Sequence, residues 1–218
     1  HGKTTDEIIT FKVVERTAST PLILDLDGDG VQTLSQANGV VFDIDADGVQ
    51  EATAWVSAED GLLVRDLNND GIINDASELL GEYTVKQDGT KASDGFDALA
   101  DLDANQDGKI DAYSSLKIWQ DVNSDGVTQA HELNSLTTLN IESILVGAYE
   151  VDETNQGNDI GLRSTWLDSD GQSHHVDDVW FEYKETEKDV LDLSDLLIQD
   201  NIDINNLNNF LHFEQEGN

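Results

Sequence analysis

A six-residue pattern, D-x-[DN]-x-D-G, occurs five times in this sequence, starting at Asp25, Asp43, Asp66, Asp103 and Asp121. In a tight loop of this kind, the side chains at positions 1, 3 and 5 point oxygens at one centre. Glycine at position 6 permits a sharp turn, and the carbonyl of residue 7 adds another oxygen. Such an all-oxygen set suits Ca2+ better than Mg2+. The spacing between copies is irregular, which argues against a solenoid.

The pattern predicts calcium ligands in every copy. They are Asp25, Asp27, Asp29 and Val31 in the first loop; Asp43, Asp45, Asp47, Val49 and Glu51 in the second; Asp66, Asn68, Asp70, Ile72 and Glu78 in the third; Asp103, Asn105, Asp107, Lys109 and Asp111 in the fourth; and Asp121, Asn123, Asp125, Val127 and Glu132 in the fifth. A single copy is typical of an Asx/Gly turn. Five copies with the acids in register with the glycine favour metal binding, with about five Ca2+ as the expected cofactors.

The loops differ at position 12, where an acid often closes the calcium shell. The loop at Asp121 fits best because Glu132 occupies this position, whereas Glu78 lies at position 13 of the loop at Asp66. The other loops have Gln36, Ala54 and Ser114 there. These three loops are expected to leave a calcium position open to water or to a ligand oxygen.

The charge balance excludes several classes of protein. The 218-residue chain has 46 acidic residues against 11 Lys and Arg, a formal net charge of −35. It is therefore not expected to bind nucleic acid or an anionic membrane surface. The absence of cysteine excludes disulfides and zinc–thiolate sites. No apolar run predicts membrane insertion, and the absence of a signal peptide and initiator Met indicates a piece of a longer chain.

Hydrophobic patterning predicts an α+β fold, with short strands and hairpins around a single globular domain. Apolar runs such as PLILDL, GVVFDI and GLLVRDL predict strands, and DSDG at Asp168 predicts a hairpin turn. Three short helices are expected: one after Ser93 or Asp94, one at Leu116–Trp119 and one at 133–136. With the loops at Asp103 and Asp121, these helices would form a compressed EF-hand-like pair.

The chain divides into three regions by composition. Residues 1–19, which include the strand-like IITFKVVE, are expected to be the end of an upstream module and a linker. Residues 20–185 are the predicted calcium-binding domain. Residues 186–218 form an amphipathic segment leading towards a secretion region, and either docking on the domain or the start of another unit is compatible with their pattern.

Few other residues stand out. Trp55 and Trp119 are predicted to pack in the core, while Trp166 and Trp180 are candidate stacking surfaces for a ligand. Arg65 is expected to pair with nearby acids.

Three long strings resemble the calcium-dependent self-processing module of repeats-in-toxin (RTX) proteins. They are PLILDLDGDGVQT from Pro21, ATAWVSAEDGLLVRDLNNDGIIN from Ala52 and LKIWQDVNSDGVTQAHEL from Leu116. The resemblance implies a bacterial protein exported by type I secretion. In the processing members, calcium drives cleavage of the Asp–Pro bond just before the module, because the Asp carboxylate attacks its own carbonyl. The activated Asp can then be captured by a lysine amine.

This sequence departs from the self-processing pattern at the cleavage point, where Thr20 precedes Pro21. Threonine has no carboxylate to form the cyclic anhydride, and no base that would activate its hydroxyl is evident. We therefore predict that the chain keeps the fold without self-cleavage and is not an enzyme.

The C-terminal strings DVLDLSDLLIQDNI and NNFLHFEQEGN are similar to the segments that lead into the secretion signal of giant calcium-dependent bacterial adhesins. Such adhesins carry a calcium-loaded peptide-binding domain whose metal takes the terminal carboxylate of the ligand. The resemblance implies a secreted or cell-surface module, monomeric within a long chain, that binds a peptide, protein or glycan on a host or neighbouring cell. A self-processing module and a calcium-rigidified spacer are the alternatives.

Overall fold

The computed structural model describes residues 18–112 and 114–184. Short strands dominate this part of the chain, and its one α-helix, α1, spans Gly95–Ala100. The strands are β1 Ala18–Ser19, β2 Leu22–Leu24, β3 Thr33–Leu34, β4 Val40–Phe42, β5 Glu51–Thr53, β6 Trp55–Val56, β7 Gly61–Val64, β8 Lys109–Asp111, β9 Lys117–Trp119, β10 Leu133–Ser135, β11 Ile141–Leu145, β12 Tyr149–Asn155, β13 Asn158–Asp168 and β14 Ser173–Lys184. Single 3-10 turns lie at Gln36–Asn38, Ala76–Glu78 and Leu136–Leu139.

The strands form an antiparallel sheet in the order β10-β9-β7-β2-β14-β13-β11-β8. The long strand β14 organises it, because β14 pairs with β13 and β2 and, towards its end, with β1 and β5. The strands β13 and β14 form the hairpin that DSDG predicts, with Asp168 bonded to the N–H of Gln172 across the turn. A separate pair joins β3 to β6.

The central strands are buried on both faces, which explains why their sequences read as continuous apolar runs. In β2, Ile23 belongs to one hydrophobic core, while Leu22 and Leu24 belong to a second. The strands β7 and β9 alternate in the same way. Leu63 and Ile118 join the second core, and the first core takes Leu62, Val64 and Trp119. Because side chains alternate across a strand, the sheet separates the two cores.

The first core is built on aromatic rings. Trp55 and Trp119 are both fully buried, as predicted, with ring centroids 5.4 Å apart in an edge arrangement. Phe42 packs against both rings, and Phe181 packs against Trp55. Edge and tilted arrangements suit the quadrupoles of aromatic rings. Phe42 immediately precedes the loop at Asp43, and Trp119 lies two residues before the loop at Asp121, so this core anchors two of the acidic loops.

The predicted α+β fold with an EF-hand-like helix pair is wrong, because the described chain is mainly antiparallel β-sheet. The first predicted helix exists as α1, capped by Asp94, whose side chain accepts the N–H of Asp97. The segment ending at Trp119, however, is strand β9 between β7 and β10. A short apolar run has no periodicity that separates strand from helix, and strand pairing decides the outcome.

The third predicted helix is also wrong. Leu133 begins β10, and Leu136–Leu139 form a single 3-10 turn that ends at Asn140 in the left-handed conformation, with φ of 61°. The strand-like IITFKVVE and the amphipathic residues 186–218 lie outside the described residues. Within the described part of the chain, no helix has the length and apolar character that a membrane crossing needs.

A glycine that packs against the start of the domain provides a test of the packing. A Cβ added to Gly81 would lie 2.5 Å from the carbonyl oxygen of Thr20, a backbone atom that cannot easily move aside. We expect Gly81→Ala to lower the free energy of unfolding by about 1–3 kcal/mol, the usual cost of overpacking. An added Cβ at Gly147 meets nothing within 4 Å. Gly147→Ala should therefore stay within about 1 kcal/mol of the parent in chemical denaturation, and equal effects of the two variants would contradict the close contact between Gly81 and Thr20.

Candidate metal-binding loops

The five acidic loops share one internal geometry. In each, the carboxylate at position 1 accepts a hydrogen bond from the N–H of the glycine at position 6, at 2.8–3.1 Å. The side chain at position 3 accepts the N–H of position 5, at 2.9–3.3 Å. These bonds wrap the backbone around the side-chain oxygens of the loop.

The sharp turn depends on left-handed backbone at two positions. In the loop at Asp121, Ser124 at position 4 has φ of 52° and Gly126 at position 6 has φ of 70°. A Cβ on Gly126 would also lie 3.0 Å from the Val40 side chain. Glycine is therefore required at position 6 both by conformation and by close packing on β4.

Strands rather than helices position most of the loops. The loops at Asp25, Asp43, Asp66 and Asp121 begin within two residues of the ends of β2, β4, β7 and β9, and the loop at Asp103 connects α1 to β8. The strands β2, β4, β7 and β9 each end in a buried residue, which fixes the position of the first aspartate of the loop that follows. The repeated pattern thus follows the ends of sheet strands.

Two clusters bring carboxylate oxygens close together. The oxygens of Asp25, Asp27 and Asp29 lie within 4.8 Å of one another, and so do those of Asp43, Asp45 and Glu51. In the first cluster Asp25 is buried, whereas Asp27 and Asp29 are exposed. In the second, Glu51 at position 9 of the loop turns inward from β5 and is 3% exposed. Both clusters can hold a metal ion.

Unpaired buried oxygens are the strongest sign that these loops fit a cation. Among the described residues, Glu51 Oε2, Asp66 Oδ1 and Glu132 Oε1 are buried without a hydrogen-bond partner. All three belong to the predicted ligand set and to three different loops. A buried carboxylate oxygen without a partner is costly, and a bound cation would remove that cost. The donor set contains only oxygen and is rich in carboxylates, which fits a hard divalent cation.

The loop at Asp121 is the most completely built. Glu132 is 1% exposed, and its Oε2 accepts the N–H of Gln129 at 3.0 Å, which leaves Oε1 as the unpaired oxygen. The indole of Trp55 donates a hydrogen bond to Asp121 Oδ2 at 2.9 Å, so a side chain of the aromatic core fixes the first aspartate of the loop. The sequence pattern gave no sign of this tryptophan contact, because 66 residues separate the two side chains.

The other two loops are arranged differently. In the loop at Asp66, Glu78 accepts the N–H groups of Leu67 and Asn74, each at 2.8 Å, and therefore clamps the two ends of the loop. The Nζ of Lys117 lies 3.6 Å from Asp66 Oδ2. In the loop at Asp103, the predicted ligand Asp111 is exposed and lies 3.4 Å from Lys109.

Comparison with known proteins gives the family. The SPM domain family matches residues 22–182, which includes all five loops. The chain belongs to the SPM domain family. It is also 42% identical over 166 residues to the iron-regulated protein FrpA of Neisseria meningitidis serogroup C, a match that covers 73% of this chain. The chain spans only 15% of the length of that relative.

A buried aspartate that the pattern did not predict supports the first loop of this SPM domain. Asp60, 1% exposed, accepts the N–H of Leu26 at 3.3 Å and that of Gln32 at 2.7 Å. It thus holds the loop at Asp25 at positions 2 and 8. The indole of Trp166 also donates a hydrogen bond to the carbonyl of Asp25, at 3.0 Å. Trp166 is therefore a buried support of the loop and not the exposed stacking surface that the sequence suggested.

Burial changes the ionisation of two acids near these loops. Burial, together with the repulsion of the nearby Asp45 carboxylate, raises the pKa of Glu51 to about 7. Burial likewise raises the pKa of Asp60 to about 6, against the lowering effect of the bonds from Gln32 and Leu26. Without a cation, both carboxylates are thus destabilised in their charged form.

The raised pKa of Asp60 should make the stability of the calcium-free SPM domain depend on pH. The pKa of this carboxyl is raised from 3.8 to about 6 in the folded state, so the folded state holds the proton more tightly. The stabilisation from Asp60 is full below pH 4 and is lost as the pH rises through about 6. Denaturation in chelator should show this loss, and Asp60→Asn should make the pH slope between 4 and 6 shallower. An unchanged slope in the variant would contradict the assignment.

The segment at the start of the SPM domain is tightly held around Thr20. Thr20 is buried, and its hydroxyl accepts the N–H of Glu82 at 3.3 Å. The carbonyl of Pro21 accepts the N–H of Val179 at 3.2 Å. The neighbouring Asp178 is fully buried and bonded to the N–H of Gly95, and burial raises its pKa well above 3.8.

Proposed function

We propose that this SPM domain is a calcium-dependent ligand-binding module of a bacterial RTX adhesin that does not process itself. The observation that carries the proposal is the cluster at Asp25. Three carboxylates converge there within 4.8 Å, two of them exposed, and Gln36 stands where a closing acid would be. A calcium ion held there has room for an oxygen from outside the chain.

The choice of calcium rests on the donor chemistry. The loops offer carboxylate, amide and carbonyl oxygens in numbers above the few that Mg2+ takes from protein. The unpaired oxygens of Glu51, Asp66 and Glu132 support filling by a cation in three of the loops. Extracellular calcium modules bind at roughly 10⁻⁴–10⁻³ M, a range that suits a protein which works outside the cell.

The ligand is a peptide, protein or glycan that supplies an oxygen to the open calcium position. A terminal carboxylate is the favoured group because it carries charge of the right sign for the metal. The bound cation would also reduce the repulsion between an anionic ligand and a chain of net charge −35. We further propose that the module is exported by type I secretion and stands at the bacterial surface, as a monomeric part of a longer chain.

A binding array tests the ligand role. The protein is applied to peptide and glycan arrays at 1–2 mM calcium and again with EGTA, together with Asp29→Asn and Asp107→Asn. Both variants change an exposed aspartate at position 5, one in the loop at Asp25 and one in the loop at Asp103. Binding should vanish in EGTA and in Asp29→Asn but persist in Asp107→Asn. Calcium-dependent folding without any bound ligand would favour the spacer function instead.

Self-processing is the alternative, and it makes a different prediction. Because Thr20 lacks a carboxylate, we expect calcium to leave the Thr20–Pro21 bond intact. A chain that spans this bond, incubated for a day with millimolar calcium, should remain one band on a denaturing gel and one mass in the spectrometer. Two fragments that separate between Thr20 and Pro21 would overturn the non-processing function.

A further inference from the structure

A buried hydrogen bond joins two of the metal loops directly. The N–H of Ile73 donates to Thr128 Oγ1 at 3.0 Å across 55 residues of sequence. Both residues are buried, at 3% and 8% exposed. Ile73 is position 8 of the loop at Asp66, and Thr128 is position 8 of the loop at Asp121. The two loops are therefore tied together at the same structural position.

The next residue in each loop is held by the glutamate of that loop. Asn74, at position 9, donates its N–H to Glu78 Oε2 at 2.8 Å. Gln129, also at position 9, donates its N–H to Glu132 Oε2 at 3.0 Å. The bond between Ile73 and Thr128 thus connects the segment bound by Glu78 to the segment bound by Glu132. A change at one glutamate can therefore affect the position of the other.

We infer that the loops at Asp66 and Asp121 bind calcium as one cooperative pair, coupled through the hydroxyl of Thr128. Ordering of the segment at Thr128 by one ion fixes the acceptor for Ile73, so the second loop is already partly ordered when its ion arrives. Among the described residues, the loop at Asp103 makes no such hydrogen bond to the loop at Asp66 or to the loop at Asp121. The carbonyl of its Gly108 instead accepts the N–H of Val146. That loop provides an internal control. The inference rests on calcium binding as proposed above.

Site-resolved titration tests the coupling. Calcium is added to 15N-labelled protein while the amide signals of Gly71, Gly126 and Gly108 are followed, since each donates to the first aspartate of its own loop. Glu132→Gln weakens the loop at Asp121 directly. In the parent background it should also raise the calcium midpoint reported by Gly71 by about fivefold or more, which is the lower end of typical coupling. The Gly108 midpoint should not move.

The Thr128→Val background isolates the hydroxyl. There, Glu132→Gln should leave the Gly71 midpoint unchanged within twofold, whereas Thr128→Ser should preserve the fivefold effect. If Thr128→Val unfolds the domain, the serine variant and the parent still test reciprocity through Glu78→Gln, read at Gly126. Independent midpoints in the parent, or equal effects in the parent and Thr128→Val, would overturn the coupling. No calcium response at any of the three glycines would instead overturn the proposed function itself.

Discussion

Removal of calcium is expected to lower the melting temperature of this domain by about 14–28 °C. At tenfold excess over Kd, one occupied site adds about 1.4 kcal/mol, so five occupied sites add about 7 kcal/mol. For a domain of this size, each kcal/mol shifts the melting temperature by about 2–4 °C. The structural reason is the crowding of charge: without a cation, the carboxylates of Asp25, Asp27 and Asp29 repel one another within 4.8 Å.

The measurement is a thermal scan in 2 mM calcium, in EGTA, and in EGTA with excess magnesium. Magnesium should restore only a small part of the lost stability, because it keeps its own waters and a strict octahedral shell. A high-salt control separates metal binding from simple screening of charge. A melting temperature that EGTA leaves unchanged would contradict the calcium dependence.

Glu132→Gln is expected to change stability in opposite directions with and without calcium. With calcium, the variant loses the closing carboxylate of the Asp121 loop, and its melting temperature should fall by about 3–6 °C as one site is lost. Without calcium, Glu132 is a buried charge whose Oε1 has no partner. Glutamine removes that charge while it can still accept the N–H of Gln129, so the calcium-free variant should be more stable than the parent.

The matched control for this variant is Glu142→Gln. The Glu142 side chain is exposed on β11 and is not among the predicted ligands, so the melting temperature of this variant should stay within about 1–2 °C of the parent in both conditions. A lower melting temperature in calcium together with a higher one in EGTA is expected only for a buried metal ligand. If Glu132→Gln destabilised the protein equally in calcium and in EGTA, Glu132 would be a structural hydrogen-bond acceptor and not a ligand.

The acidic loops could be predicted from sequence because their geometry is local. In the loop at Asp43, the aspartate at position 1 and Gly48 at position 6 are only five residues apart, and their bond of 2.9 Å forms within the turn. The buried strands of the sheet were also predictable, since Leu22–Leu24 and Gly61–Val64 are short apolar runs between turn residues. These features depend on neighbouring residues and need no knowledge of the fold.

The supports of the loops depend on distant residues and could not be predicted. Trp55 reaches Asp121 across 66 residues, and Trp166 reaches Asp25 across 141. Leu116 and Trp119 have the spacing of a short helix, yet Lys117–Trp119 forms a strand because β7 and β10 pair with it on both sides. An α+β prediction followed from local spacing alone, and tertiary pairing overrode it.

The five loops are proposed to bind calcium, and this binding is proposed to hold the domain together. Native mass spectrometry of the intact chain in millimolar calcium tests it directly, because bound ions are counted one by one while the charge-state distribution reports folding. We expect a compact chain with about five bound Ca2+, one fewer in Glu132→Gln, and an expanded chain without ions after EGTA. A compact chain that carries no calcium would contradict it.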